Sequence, residues 1–157
     1  MSYAVHADPR IRREGIKLLL ESPAHGAEGI LLGLRDDDDG IVGLALRATL
    51  ESCPPEAIPL LGCIAIDARR PAEIRVPSLR ILARTRTPEA LKILLAQAQH
   101  RRRWFGRRLG SKSPELLAAV AGLASYWSDH PLATEVLSHA LQHSDAEIRA
   151  AAKSVAA

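Results

Sequence analysis

The sequence predicts an all-α protein in which short helices stack in pairs as an α-solenoid. A phrase of turn residues followed by an apolar anchor recurs along the chain, and recurrence at such a period is typical of repeat arrays. The anchors are separated by 30 (41−11), 33 (74−41), 42 (116−74) and 32 (148−116) residues. Alanine and leucine dominate, whereas aromatic residues make up only 3% of the chain, a composition that favours helices. The five anchors are Ile11, Ile41, Ile74, Leu116 and Ile148.

Nine helices are predicted, each bounded by capping residues or prolines. Asp8 and Thr87 can accept hydrogen bonds from first-turn amides, and a proline follows each at the favoured first helical position. The acidic run 36–39 precedes a helix start, where the positive end of the helix favours carboxylates. It lacks the alternate spacing of a calcium loop. The predicted helices span about 8–21, 27–34, 41–53, 55–67, 72–84, 88–103, 114–126 and 131–143, with a ninth after the capping sequence 144–147.

Length and composition limit the class of protein. The 157 residues fit one domain, 1–157, with a net charge of only +3. Cys53 and Cys63 lack the spacing of a zinc or redox motif, which indicates reduced thiols. Without a signal peptide or an apolar run of about 20 residues, the chain is expected to be cytoplasmic and to avoid membranes. No glycine-rich phosphate loop or nucleophile elbow is present, so neither an enzyme nor a cofactor is expected.

Two kinds of phrase resemble the HEAT repeat. The segment 8–12, Asp-Pro-Arg-Ile-Arg, with the small residue and leucines that follow it, resembles the second helix of a HEAT repeat. The segments 55–61 and 88–91 resemble the first helix. The stretch from the arginine cluster to the C-terminus is similar to the tail of bacterial HEAT-repeat proteins. The resemblance implies a HEAT-like solenoid of four to five repeats, the first of them a half-repeat.

The family typically bonds a turn aspartate to a helix arginine in a ladder between successive repeats. Asp8 with Arg12 and Asp145 with Arg149 match both positions. The three middle repeats do not, because the corresponding pairs are Asp38/Val42, Pro71/Arg75 and Ser113/Leu117. The resemblance therefore implies a ladder that is broken in the middle.

A first candidate binding surface is a stripe of cations, each six residues beyond an anchor. Six residues correspond to about 600° of helical rotation, which places the cations opposite the apolar face. In a HEAT array that face lines the concave surface. Glu21 and Glu51 can neutralise the first two as exposed pairs, whereas Arg84 replaces the acid in the third copy. The stripe therefore either binds a partner or only solvates the surface. Its members are Lys17, Arg47 and Arg80.

A second candidate is the basic insertion at 100–112, which lengthens the third interval. Arginine binds phosphate or carboxylate bidentately, and aromatic rings stack on bases or on arginine. An acidic protein partner and nucleic acid are both open, and the aromatic residues could instead fill the widened repeat. The residues concerned are Arg101, Arg102, Arg103, Trp104, Phe105, Arg107, Arg108 and Lys112.

A weaker candidate is a metal site. Glu135, His139 and His143 stand at i, i+4 and i+8, and histidines at that spacing can bind zinc. A partly exposed polar face explains the same spacing.

The leading functional hypothesis is a non-catalytic scaffold that binds a protein partner through the concave face and the arginine-rich insertion. The alternatives are a nucleic-acid-binding module that uses the insertion, and an accessory subunit of an enzyme, such as a bilin-lyase-like subunit. The first helix has no predicted partner before it. Its uncapped face could therefore support a homo-oligomer.

Overall fold

The computed structural model describes residues 2–102 and 106–153, with side chains described for 3–99 and 109–153. Most of the described residues lie in α-helices, which confirms the predicted helical class. A short 3₁₀ helix, Ser2–Val5, precedes them. None of the helices in these ranges is both long and apolar enough to cross a bilayer. The α-helices of the described residues are α1 (Pro9–Glu21), α2 (Gly26–Leu34), α3 (Asp39–Glu51), α4 (Ala57–Ile66), α5 (Ala72–Thr85), α6 (Pro88–Ala98), α7 (Pro114–Tyr126), α8 (Pro131–Leu141) and α9 (Ala146–Ala152).

The helices form two layers. The odd-numbered helices pack side by side in chain order, α1 on α3, α3 on α5, α5 on α7 and α7 on α9. The even-numbered helices do the same, and the two layers face each other. The core lies between them. Four of the five repeat anchors are buried in it, and Ile11 is half-buried. The largest fully buried side chains include Ile16, Ile41, Leu61, Leu82, Leu94, Leu123 and Ile148.

The helix starts are capped as the sequence predicts. Asp8 accepts a hydrogen bond from the amide of Arg10, and Asp145 accepts from the amides of two first-turn residues of α9. Thr87 and Ser113 cap α6 and α7 in the same way. Because these caps pair amides that have no partner inside the helix, they set where each helix begins.

A preceding segment covers one face of the first helix. The 3₁₀ helix packs on α1, and Ala4 is buried together with Ile16 and Ile41. A Cβ on Gly15 would lie 2.6 Å from the backbone nitrogen of Ala4, so only glycine allows this approach. The expectation of an open N-terminal face is therefore wrong, and the described contacts give no support for a homo-oligomer formed there.

The insertion contains a β-hairpin that was not predicted. The sixth helix was expected to run to about Arg103 but ends at Ala98, and strand β1 (Gln99–Arg102) follows it directly. Strand β1 pairs antiparallel with β2 (Gly106–Leu109), and Gln99 lies opposite Leu109. The residues of this segment are good helix formers, but the pairing of the two strands overrides that preference.

Candidate functional site

A groove of about 740 Å³ crosses the layer of odd-numbered helices, from α3 over α5 and α7 to α9. Arg80 and Arg84 of α5 are exposed along one wall. Leu50 of α3, which is 47% exposed, lies at one end, and Glu147 of α9 lies at the other. The floor is formed mainly by α7. The remaining lining residues are Val76, Ala83, Pro114, Leu117, Ala118, Ala121, Gly122, Ser125, Tyr126 and Ala151.

Helices α5 and α7 pack closely beneath the groove. A Cβ on Gly122 would lie 2.7 Å from the Cβ of Ala83, so the glycine permits this packing. Beyond the C-terminal end of α7, the indole nitrogen of Trp127 donates a hydrogen bond of 3.2 Å to the carbonyl of Ala83. Arg86 lies 5.9 Å above the same ring, at a distance typical of a cation–π contact. The two helices are thus joined from the groove floor to their C-terminal ends.

The predicted stripe divides into two parts. Arg80 and Arg84 line the groove, and neither makes an ion pair with any residue that the structure describes. Lys17 donates a hydrogen bond of 2.6 Å to Glu14, which neutralises it in place of the expected Glu21. Arg47 is exposed but does not line the groove. Of the three predicted stripe cations, Arg80 is therefore the one that lines the groove, together with Arg84.

A smaller pocket of about 150 Å³ adjoins the groove between α3 and α5. It shares Leu50 and Arg84 with the groove, and Cys53 is among its other lining residues. Burial raises the pKa of the Cys53 thiol, because the thiolate would lose its hydration there. The side chain therefore remains an uncharged thiol, which suits an apolar lining.

The two matching copies of the repeat phrase form the same turn. In each copy a histidine Nδ1 accepts a hydrogen bond of 3.0 Å from the backbone amide of the aspartate two residues later. The arginine of the following helix donates to the carbonyls six and five residues before it. The histidine was not recognised as part of the repeat phrase, although it stands two residues before the aspartate in both copies. The copies are His6, Asp8 and Arg12 in the first, and His143, Asp145 and Arg149 in the second.

Ion pairs join the turns that precede successive odd-numbered helices. Arg12 of α1 donates to Asp36 through two hydrogen bonds of 2.7 and 2.8 Å. This pairing holds the pKa of the Asp36 carboxyl below its ordinary value. Arg70 joins the turn before α5 to the start of α3. It donates hydrogen bonds of 2.7 Å to the carboxylate of Asp39 and to the carbonyl of Asp36. The acidic run is therefore bonded to arginines.

The ladder continues through the middle of the chain with other residues. Arg75 of α5 lies 2.8 Å from Glu115 at the start of α7, and only 6% of Glu115 is exposed. This contact joins Arg75 Nη2 to Glu115 Oε1, but its angle is too poor for a hydrogen bond. Arg75 Nε and Glu115 Oε1 are both buried without a hydrogen-bond partner. Lys112 lies 3.1 Å from Asp145 and 2.8 Å from Glu147, which raises the pKa of Lys112 and lowers that of Asp145. The middle turns are therefore joined, but by residues other than the turn aspartate and helix arginine of the repeat phrase.

These contacts change the interpretation of Lys112. It was grouped with the partner-binding cations of the insertion, but it connects the turn before α7 to the start of α9. Glu147 is neutralised by the same contact. The groove between these helices is consequently basic, because its one acidic lining residue is already paired.

Four other cations of the insertion, Arg101, Arg102, Arg107 and Arg108, belong to the two strands of the hairpin. Arg101 is directly opposite Arg107 in the register, and His100 is opposite Arg108. The side chains of 100–108 are outside the described part of the structure, as are Arg103, Trp104 and Phe105 entirely. The backbone nevertheless places basic residues on both strands of one ribbon. Like charges at directly opposed positions destabilise a pair of strands unless an anion lies between them.

The candidate metal ligands do not form a cluster. Glu135 and His139 are exposed on α8, and the Nδ1 of His143 accepts the hydrogen bond of the turn before α9. Within the described ranges, no group of three His, Cys, Asp or Glu side chains could hold a metal ion. The spacing of these residues is explained by an exposed helix face and a turn.

The chain matches no family model, no curated protein and no solved structure. Its function is therefore inferred from its own surfaces. Two of them have the composition of binding sites: the groove with Arg80 and Arg84, and the basic hairpin.

Proposed function

We propose that the protein is a HEAT-like α-solenoid that binds a protein partner in its groove and acts as a non-catalytic scaffold. The layered packing supports the solenoid, because each layer adds one helix after another in chain order. Ion pairs between successive turns also favour the family, although none of them joins the turn aspartate of one repeat phrase to the helix arginine of another.

The groove is the observation that carries the proposed binding function. It combines an apolar floor on α7 with two arginines on α5 and with Tyr126, and tyrosine and arginine are among the side chains enriched at protein interfaces. Leu50 and Tyr126 provide contact area for an apolar side chain of the partner. The arginines favour a partner that brings carboxylates.

A peptide library displayed on phage tests the proposal. Selection on the wild-type protein should yield binders that are lost on Arg80→Glu/Arg84→Glu, because the reversed charges repel the carboxylates of the binders. Arg13→Glu/Arg47→Glu is the matched control, since it reverses two exposed arginines of the same layer outside the groove. Binders that are insensitive to Arg80→Glu/Arg84→Glu, or equally sensitive to the control, would contradict the proposal.

A second candidate function is nucleic-acid binding by the hairpin. A two-stranded β-ribbon fits the major groove of B-DNA, and arginines contact phosphates and guanine edges. The observation that favours this function is the paired register, which places Arg101 and Arg107 opposite each other on one ribbon. An anion between the strands would relieve the repulsion of these charges.

Charge-matched variants separate the two functions. Arg102→Glu/Arg107→Glu and Arg80→Glu/Arg84→Glu change the net charge equally, so only the position of the change differs. If the hairpin binds duplex DNA, the first variant should abolish retention in low salt, the second should retain it, and wild-type affinity should fall steeply as salt rises. Equal losses in the two variants would indicate only a general charge effect.

A further inference from the structure

We infer that the occupant of the groove is an amphipathic α-helix of the partner, with two acidic residues three or four positions apart that face Arg80 and Arg84. This inference rests on the proposed function and specifies the partner's chemistry.

The residues that line the groove favour a helical occupant over an extended one. All four elements that line it are α-helices, whose backbone amides and carbonyls are bonded within each helix. An extended peptide would bring its own unpaired backbone groups into the apolar part of the floor, where each one costs free energy. The hydroxyls of Ser125 and Tyr126 and the two arginines could pair a few such groups, but the aliphatic part of the lining could pair none. A helix pairs its own backbone groups and needs no such side chains.

The floor allows a helix to approach closely. Ala121 and Ser125 stand four residues apart on α7 and are both half-buried, so a row of small side chains lines the open part of the groove. A row of small side chains forms only a low ridge, over which a second helix can pack closely. Leu117 and Tyr126 border this row and provide apolar contact for the larger side chains of the occupant.

The charge of the groove determines the sign of the charge that its occupant must carry. Arg80 and Arg84 are four residues apart on one face of α5, and neither pairs with an acidic residue of the described part of the chain. Glu147 is already bonded to Lys112. The surplus charge is therefore positive and lies along one wall. Acidic residues three or four apart on a helix present two carboxylates with the same spacing.

Two displayed libraries of equal size test the inference. One randomises the exposed face of a helix in a small helical scaffold, and the other randomises a linear segment with a fixed central proline, which cannot form a continuous helix. Both are selected on the wild-type protein. Binders are called groove-dependent when Arg80→Glu/Arg84→Glu weakens them by about tenfold, as expected when two exposed ion pairs become repulsive.

The inference predicts that groove-dependent binders come from the helical library and carry acidic residues three or four positions apart. Ala121→Leu should weaken the same binders without changing the charge, because the larger side chain fills the floor. Arg13→Glu/Arg47→Glu should leave them bound. The inference is overturned if groove-dependent binders come from the proline library or are basic. It is also overturned if the protein alone self-associates and Ala121→Leu abolishes that association. If neither library yields a groove-dependent binder, the proposed function fails as well.

Discussion

Replacement of Gly122 by alanine tests the close packing of α5 against α7. The added Cβ would lie 2.7 Å from the Cβ of Ala83, whereas carbon atoms pack at about 3.5–4.0 Å. Neither Cβ can rotate away, so the two helices must separate by about 1 Å. Gly43 of α3 is the matched control, because a Cβ there would meet only the end of the Ile74 side chain, at 3.7 Å.

The two glycines should give changes of opposite sign. Glycine to alanine inside a helix stabilises by roughly 0.5–1 kcal/mol, and this gain applies at both positions. Overpacking of a rigid contact costs about 1–3 kcal/mol and applies only at Gly122. Gly43→Ala should therefore raise the free energy of unfolding, and Gly122→Ala should lower it. The difference between the variants isolates the packing cost of about 1–3 kcal/mol.

Urea denaturation followed by circular dichroism measures these changes from the transition midpoints at constant slope. A double variant, Gly122→Ala/Ala83→Gly, removes the contact and should recover part of the loss, with a coupling energy of about 0.5–3 kcal/mol. If Gly122→Ala stabilises the protein as much as Gly43→Ala does, the close approach of α5 and α7 is refuted.

Two further predictions concern the ladder. Because Arg12 lowers the pKa of Asp36 in the folded state, the Asp36 carboxylate stabilises the fold above its unfolded pKa, and this contribution is lost as pH falls through the folded value. Asp36→Asn should therefore destabilise at neutral pH, and its unfolding free energy should begin to approach that of the wild type below about pH 4 and meet it only below the lowered folded pKa of Asp36. Asp37→Asn is the control, because the Asp37 carboxylate makes no ion pair with a described residue. Glu115→Ala should cost about 3 kcal/mol, because it leaves the charge of Arg75 without its partner, and the double variant Glu115→Leu/Arg75→Met should recover most of this loss in the same urea assay. Equal losses in the single and double variants would show that the pair contributes only packing.

The helices were predictable because their signals are local. The caps at Asp8 and Thr87 and the periodic apolar anchors lie within single helices, so each could be recognised without its neighbours. The offset of six residues that placed Arg80 opposite the apolar face also follows from helix geometry alone. Arg84 stands where the first two copies of the stripe carry a glutamate, and both Arg80 and Arg84 line the groove.

The ladder and the hairpin were not predictable, because they depend on distant partners. Glu115 and Arg75 are 40 residues apart (115−75), and nothing near either residue indicates the pairing. Lys112 looked like part of a basic loop because its acidic partners belong to another helix. The segment that forms β1 favours a helix by local propensity, and only its pairing with β2 makes it a strand.

The order of packing has a consequence for local unfolding. Throughout the described part of the chain, substantial helix contacts join helices no more than two places apart, so the contact order is low. The terminal helices α1 and α9 each pack on only one neighbour in their layer, whereas α5 packs on two. Backbone amides in α5 and α7 should therefore exchange with deuterium last, and protection should fall progressively toward both ends.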